Sequence, residues 1–115
     1  MRILICSIVT CLSIGFFSLN SNAANLSCEI KLNNGKTLRT SVSTILNRKM
    51  FVGELESLRS FVTEKPNNFF SLEVFLGGYE ARVYSEGFLR NIGEVLNLSY
   101  WSREVLLDLQ CKRIP

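Results

Sequence analysis

From residue 28 onward, apolar and polar positions alternate over several stretches of the chain. Cys28, Ile30 and Leu32 interleave with Glu29 and Lys31, the period-2 pattern of a strand with one buried face. Asn33-Asn34-Gly35-Lys36 follows, and Asn-Gly is a strong hairpin signal because both central positions of such a turn need positive φ. Leu38, Thr40 and Val42 then carry the inward face of a returning strand, with Arg39 and Ser41 outward. Phe70, Leu72, Val74 and Leu76 form the inward face of another strand, and Gly77-Gly78 has the composition of a tight turn. Ala81 and Val83 then point in with Tyr79, while Glu80, Arg82 and Tyr84 point out. Leu96, Leu98 and Tyr100 alternate again, as do Val105, Leu107, Leu109 and Cys111, the latter against Asp108 and Gln110.

Two segments break this rhythm. Phe51, Leu55, Leu58 and Val62 recur at helical spacing, and so do Phe88, Ile92 and Val95. Gly53 and Gly93 weaken both as helices, so residues 49–63 are read as strand-like with a helical turn. The pattern predicts an all-β fold, a small antiparallel barrel or sandwich of six to eight short strands. The alternative is an α+β domain with one helix near residues 51–63.

The N-terminal segment follows other rules. Met1-Arg2 is basic, Ile3 to Phe17 is apolar apart from small or hydroxylated residues, and a polar stretch ends at Ala23. This is the pattern of a cleaved signal peptide, with cleavage after Ala23 or, as second choice, Ala24. An apolar run of about 15 residues falls short of the roughly 20 that span a bilayer. No transmembrane segment is expected after cleavage, and residues 24–115 form a single small domain. Cys6 and Cys11 leave with the leader. Cys28 and Cys111 remain, and in an exported chain they read as one disulfide joining the first and last strands. A domain of about 92 residues buries little over 60% of its unfolded surface, so such a tie matters. Localisation is expected to be periplasmic or extracellular.

Composition narrows the chemistry. The 115 residues contain no histidine, which removes histidine-based nucleophilic triads, histidine-ligated zinc and the usual general base. A net charge of +3 is too small for a nucleic-acid binder that must neutralise many phosphates. Neither cysteine spacing nor acidic clusters suggest a metal or cofactor, and none is expected. Carboxylate pairs such as Glu54 with Glu56, or Glu80 with Glu86, are candidates for acid–base work if their environments separate their pKa values. Their polar surroundings read more simply as solvated strand faces.

Binding character is concentrated at Tyr100-Trp101-Ser102-Arg103, where the sole tryptophan sits beside a tyrosine and an arginine. Trp, Tyr and Arg dominate binding hot spots because they combine contact area with a polar handle. The competing reading has Trp101 folded inward, closing an open end of the barrel. Arg48 and Lys49, next to Phe51, form a second candidate, read otherwise as a solvated turn. An exported β-domain tied end to end by one disulfide is the plan shared by periplasmic lysozyme inhibitors. Their Ser-Gly-containing inhibitory loop cannot be placed in this chain, and the comparison is one of architecture alone. The expected function is a non-enzymatic binding module acting on a protein or an envelope component, an inhibitor-like contact being one form. The alternatives are a small carboxylate-based hydrolase and an assembly protein that pairs through an edge strand.

Overall fold

The computed structural model describes residues 23–33, 35–77, 81–103 and 105–115. Residues 1–22, which hold Cys6, Cys11 and most of the segment read as a leader, lie outside the described residues, as do Asn34, Gly78, Tyr79, Glu80 and Glu104. Eight strands follow: β1 (Asn25–Leu32), β2 (Lys36–Ser43), β3 (Lys49–Leu55), β4 (Leu58–Lys65), β5 (Phe69–Leu76), β6 (Ala81–Phe88), β7 (Val95–Trp101) and β8 (Leu106–Ile114). Among the described residues no helix is long and apolar enough to cross a membrane.

The strands form two antiparallel sheets, one in the order β2-β1-β8-β7 and one in the order β3-β4-β5-β6. Each strand therefore lies beside its sequence neighbours, and the last returns to the first. This is the strand order of an up-and-down barrel opened along two seams, β2/β3 and β6/β7. A glycine sits in each seam. A Cβ on Gly53 would stand 2.6 Å from Leu38 Cδ2, and one on Gly87 would stand 2.9 Å from Leu96 Cδ1. A side chain at either position would displace the tip of the facing leucine, so the glycines leave these leucine methyls room to pack across the seams. The Ser85 hydroxyl also donates to the Asn97 carbonyl across the second seam, at 2.6 Å.

Alternation determines what lies between the sheets. Leu26, Cys28, Ile30 and Leu32 of β1, Leu107, Leu109 and Cys111 of β8, and Phe70, Leu72, Val74 and Leu76 of β5 are all buried in one core. Cys28 stands directly opposite Cys111 in the β1–β8 register and is bonded to it, with Cα atoms 4.0 Å apart. That is somewhat closer than the roughly 4.4–6.8 Å common in disulfides.

The helix considered for residues 51–63 is absent. β3 and β4 replace it, joined by a turn in which Glu56 has φ 58°. The helical spacing there has a local cause. A bulge between Phe51 and Gly53 shifts the register, so Phe51 faces solvent while Val52 enters the core. The Phe88–Ile92–Val95 series ends β6, crosses a turn and opens β7, and all three side chains are exposed. Gly93 at φ 97° makes that turn. The Glu94 carboxylate accepts the Arg90 and Asn91 amides at 2.6 and 3.0 Å, and these bonds, Asn91 foremost, hold its carboxyl below the ordinary glutamate value.

The disulfide closes a loop spanning 83 positions, so replacing Cys28 and Cys111 together by serine should cost roughly 2–5 kcal/mol. Denaturant unfolding of oxidised protein and double variant measures this, with far-UV circular dichroism expected to keep its β signature. Equal midpoints would show that the bond does not hold the chain ends.

Candidate binding surfaces

Because β-strands place successive side chains on opposite faces, each sheet has an outer face whose chemistry is written in its outward positions. The two differ sharply. On the second sheet the register aligns Phe51, Phe61, Glu73 and Tyr84 in one row across β3 to β6. The adjoining row on one side is Glu54, Arg59, Phe75 and Arg82; on the other side come Lys49, Thr63, Ser71 and Glu86, and then a row ending in Phe69 and Phe88. Six aromatic rings thus stand on a face turned away from the core. Phe51 is 54% and Tyr84 58% exposed.

These rings are organised. Phe51 meets Phe61 edge to face at 5.7 Å between centroids, and Phe69 meets Phe88 likewise at 4.8 Å. Lys49 lies over Phe61 at 5.3 Å and Arg82 over Phe75 at 5.8 Å, both within cation–π range. Glu73 sits among them, only 7% exposed. It pairs with Lys49 at 2.9 Å and Arg82 at 3.7 Å, and accepts the Tyr84 hydroxyl at 3.3 Å. Tyr84 first, and then Glu73, raises the Arg82 guanidinium above its ordinary value. A shallow depression of about 210 Å³ opens between Lys49, Arg59, Phe61, Glu73, Phe75 and Arg82.

The outer face of the first sheet is polar. Arg39, Glu29, Gln110 and Asn97 form one cross-strand row, and Thr37, Lys31, Asp108 and Ser99 form the next. Two adjoining depressions of about 370 and 310 Å³ share Glu29 and Gln110. Glu29 pairs with Arg39 at 3.0 Å, and the Ser99 hydroxyl donates to Asp108 at 2.6 Å. At one end of this face Trp101 stands opposite Leu106. Trp101 is 76% exposed, so it does not close the barrel end from inside.

The residues expected from sequence to bind fall into two distant groups. Trp101 and Arg103 are exposed, while Tyr100, one step along β7, turns inward against the core. This group lies near Asn33, whose side chain accepts the Leu106 amide at 2.7 Å, at the end of β1. Arg48 and Lys49 lie near the opposite end of β1, since the neighbouring Asn47 amide bonds the Glu64 carbonyl, Glu64 accepts the Thr44 hydroxyl, and Thr44 bonds Ala24. Lys49 belongs to the aromatic face through Glu73. Phe61, Phe75, Glu73 and Tyr84 were not singled out in the sequence. Their signal was present as aromatic residues at outward positions of β4, β5 and β6, where solvated strands usually carry polar ones.

The carboxylate pairs do not converge. Glu54 stands opposite Arg59, Glu56 is in the turn and ion-paired with Lys36, and Glu86 pairs with Lys65 at 3.0 Å. Glu80 is outside the described residues. Among the described residues no three His, Cys, Asp or Glu side chains are grouped to hold a metal ion. Comparison with protein-family models, curated proteins and solved structures finds no match to this chain.

Proposed function

We propose that this is an exported, non-enzymatic binding module whose main working surface is the outer face of the second sheet, and that its partner there is a protein. One observation carries the reading: aromatic rings cover a sheet face that the fold has no need to make apolar. Aromatics are costly to leave in water, and together with arginine they are the residues that dominate protein interfaces. The charges on this face are close to balanced, with Lys49, Arg59, Lys65 and Arg82 set against Glu54, Glu73 and Glu86. A nucleic acid or an anionic membrane would favour a strong positive excess, whereas a mixed aromatic and charged surface suits a protein. Support against catalysis comes from the carboxylate pairs considered above, which do not converge, Glu56 being paired with Lys36 and Glu86 with Lys65.

Placing a photo-crosslinking residue at position 51 or 84 in cells should give discrete protein adducts. The same residue at position 41, an exposed position on the opposite sheet, should not. Phe51→Ala with Tyr84→Ala should weaken capture of the adduct partner by about 2 kcal/mol or more, while far-UV circular dichroism shows the fold kept and stability falls by about 1–3 kcal/mol for the lost Phe61 contact and Glu73 bond. Absence of adducts at both positions, or the same adducts from position 41, would refute the assignment.

A second reading concerns the envelope component and is favoured by the first sheet. Its trough runs from Trp101 to Val95 along β7, about 20 Å at the rise of a strand, which is the scale of an oligosaccharide. An exposed tryptophan offers a stacking platform for a sugar ring. The Asn97 and Gln110 amides, opposite each other in register, bring donors and acceptors to the same floor. Trp101 is the only tryptophan, so its fluorescence reports directly. Titration with chitotetraose or maltotetraose should give a saturable change with an apparent Kd of about 1 mM or tighter, weakened about tenfold by Asn97→Ala with Gln110→Ala. No saturable change with either sugar would remove this reading and leave the first untouched.

A further inference from the structure

Two side chains and one backbone nitrogen at the entrance of the chain into β1 form an arrangement that neither binding face uses. Glu64 points from β4 into the core and is only 4% exposed. Its Oε1 accepts the Thr44 hydroxyl at 2.6 Å. Thr44 is itself 1% exposed, and its Oγ1 accepts the Ala24 amide at 3.0 Å. Backbone bonds complete the clamp, with the Thr44 amide donating to the Ala24 carbonyl at 2.8 Å and the Asn47 amide donating to the Glu64 carbonyl at 2.7 Å. Ala24 is 3% exposed, yet Ala23 lies in solvent.

The electrostatics of this cluster are incomplete. A buried carboxylate is costly unless a cation or several donors satisfy it. None of the ion pairs among the described residues includes Glu64. Arg113, the cation on the inward face of β8, is occupied by Asn68 Oδ1 at 3.1 Å and the Leu89 carbonyl at 2.6 Å, and Lys65 turns outward to Glu86. The atom bonded to Thr44 that can become a cation is the nitrogen of Ala24, and it does so only if the peptide bond before it is cut.

We propose that the Ala23–Ala24 bond is a processing site and that the new α-ammonium of Ala24 is the missing counter-charge of Glu64, held through the Thr44 hydroxyl. The inference rests on the reading of the N-terminal segment as a cleaved leader. In the hydrolysis, a peptidase adds water across the bond. The hydroxyl goes to the Ala23 carbonyl carbon, which becomes a carboxylic acid, and a proton goes to the departing nitrogen. The resulting amine takes up a further proton near neutral pH, since α-amino groups titrate at roughly 7.7–8.0. The Ala24 N–H already donates to Thr44 Oγ1, so the ammonium keeps that bond and brings a full positive charge into a pocket that holds an unpaired carboxylate. Ala23, the residue before the bond, is exposed and so already stands outside the pocket. Processing therefore changes charge, with little change of shape, and makes the exported form more stable than its precursor domain.

Two measurements test this. Amino-terminal sequencing of the exported protein is expected to begin at Ala24. Protein beginning at Ala24 is then compared with protein beginning at Ala23, each as wild type and as Glu64→Gln, by denaturant unfolding. Moving the ammonium one residue out into solvent should raise the unfolding equilibrium constant about fivefold or more in the wild type, and this difference should vanish in Glu64→Gln. A start at another residue would refute the processing site and the leader boundary. A start at Ala24 combined with an equal penalty in both backgrounds would refute the pairing with Glu64 while leaving the leader intact.

Discussion

The structure depends on the pairing of its first strand with its last. β1 and β8 are the two central strands of the first sheet, and each holds an edge strand on its other side. Their contact is the most non-local in the chain, and bringing distant residues together is the entropic step that folding must overcome. The Cys28–Cys111 bond lies within that pairing, at the buried centre of the register, where Leu26 and Ile30 flank one sulfur and Leu109 flanks the other. With β1 and β8 joined, the meander from β3 to β6 only has to fold over a floor that already exists.

Closing the chain on itself also frees the two outer faces. The inward positions are occupied by the core and the seams by Gly53 and Gly87, so the outward positions carry little structural burden. One sheet uses them as a solvated sheet would, with Glu29, Lys31, Asp108 and Gln110, and departs from that at its ends, at Val95, Trp101 and Leu106. The other places Phe51, Phe61, Phe75 and Tyr84 there, with Lys49 over Phe61 and Arg82 over Phe75 around the buried Glu73. Arranging polar groups about a carboxylate within an aromatic face serves recognition better than it serves solubility, and the proposed function is built on that contrast.

Much of this was legible in the sequence because alternation is a local signal. The β1–β2 hairpin and the inward faces of β5, β7 and β8 follow from residues a few positions apart, and the disulfide from Cys28 and Cys111 lying at inward positions of the first and last strands. The strands at 49–63 were harder, since the bulge at Phe51–Gly53 breaks the period and imitates a helix. The aromatic face was not legible, because its rows are made by residues from four strands whose register only the folded sheet reveals. Glu54 and Glu56 misled in the same way. Two residues apart suggests one strand face, but Glu56 belongs to a turn. The cluster of Ala24, Thr44 and Glu64 likewise spans three elements, and Glu64 looks like an ordinary surface glutamate until β4 turns it inward.

The central claim, that the joined first and last strands organise the rest, is tested most directly by native-state hydrogen exchange of the oxidised protein. The slowest-exchanging amides are predicted to lie in β1 and β8 and to approach the free energy of global unfolding, with protection lost there once Cys28 and Cys111 are reduced. If the slowest amides lay instead in β4 and β5, and those of β1 and β8 exchanged quickly with the disulfide intact, the meander would be the organising element and the account would be wrong.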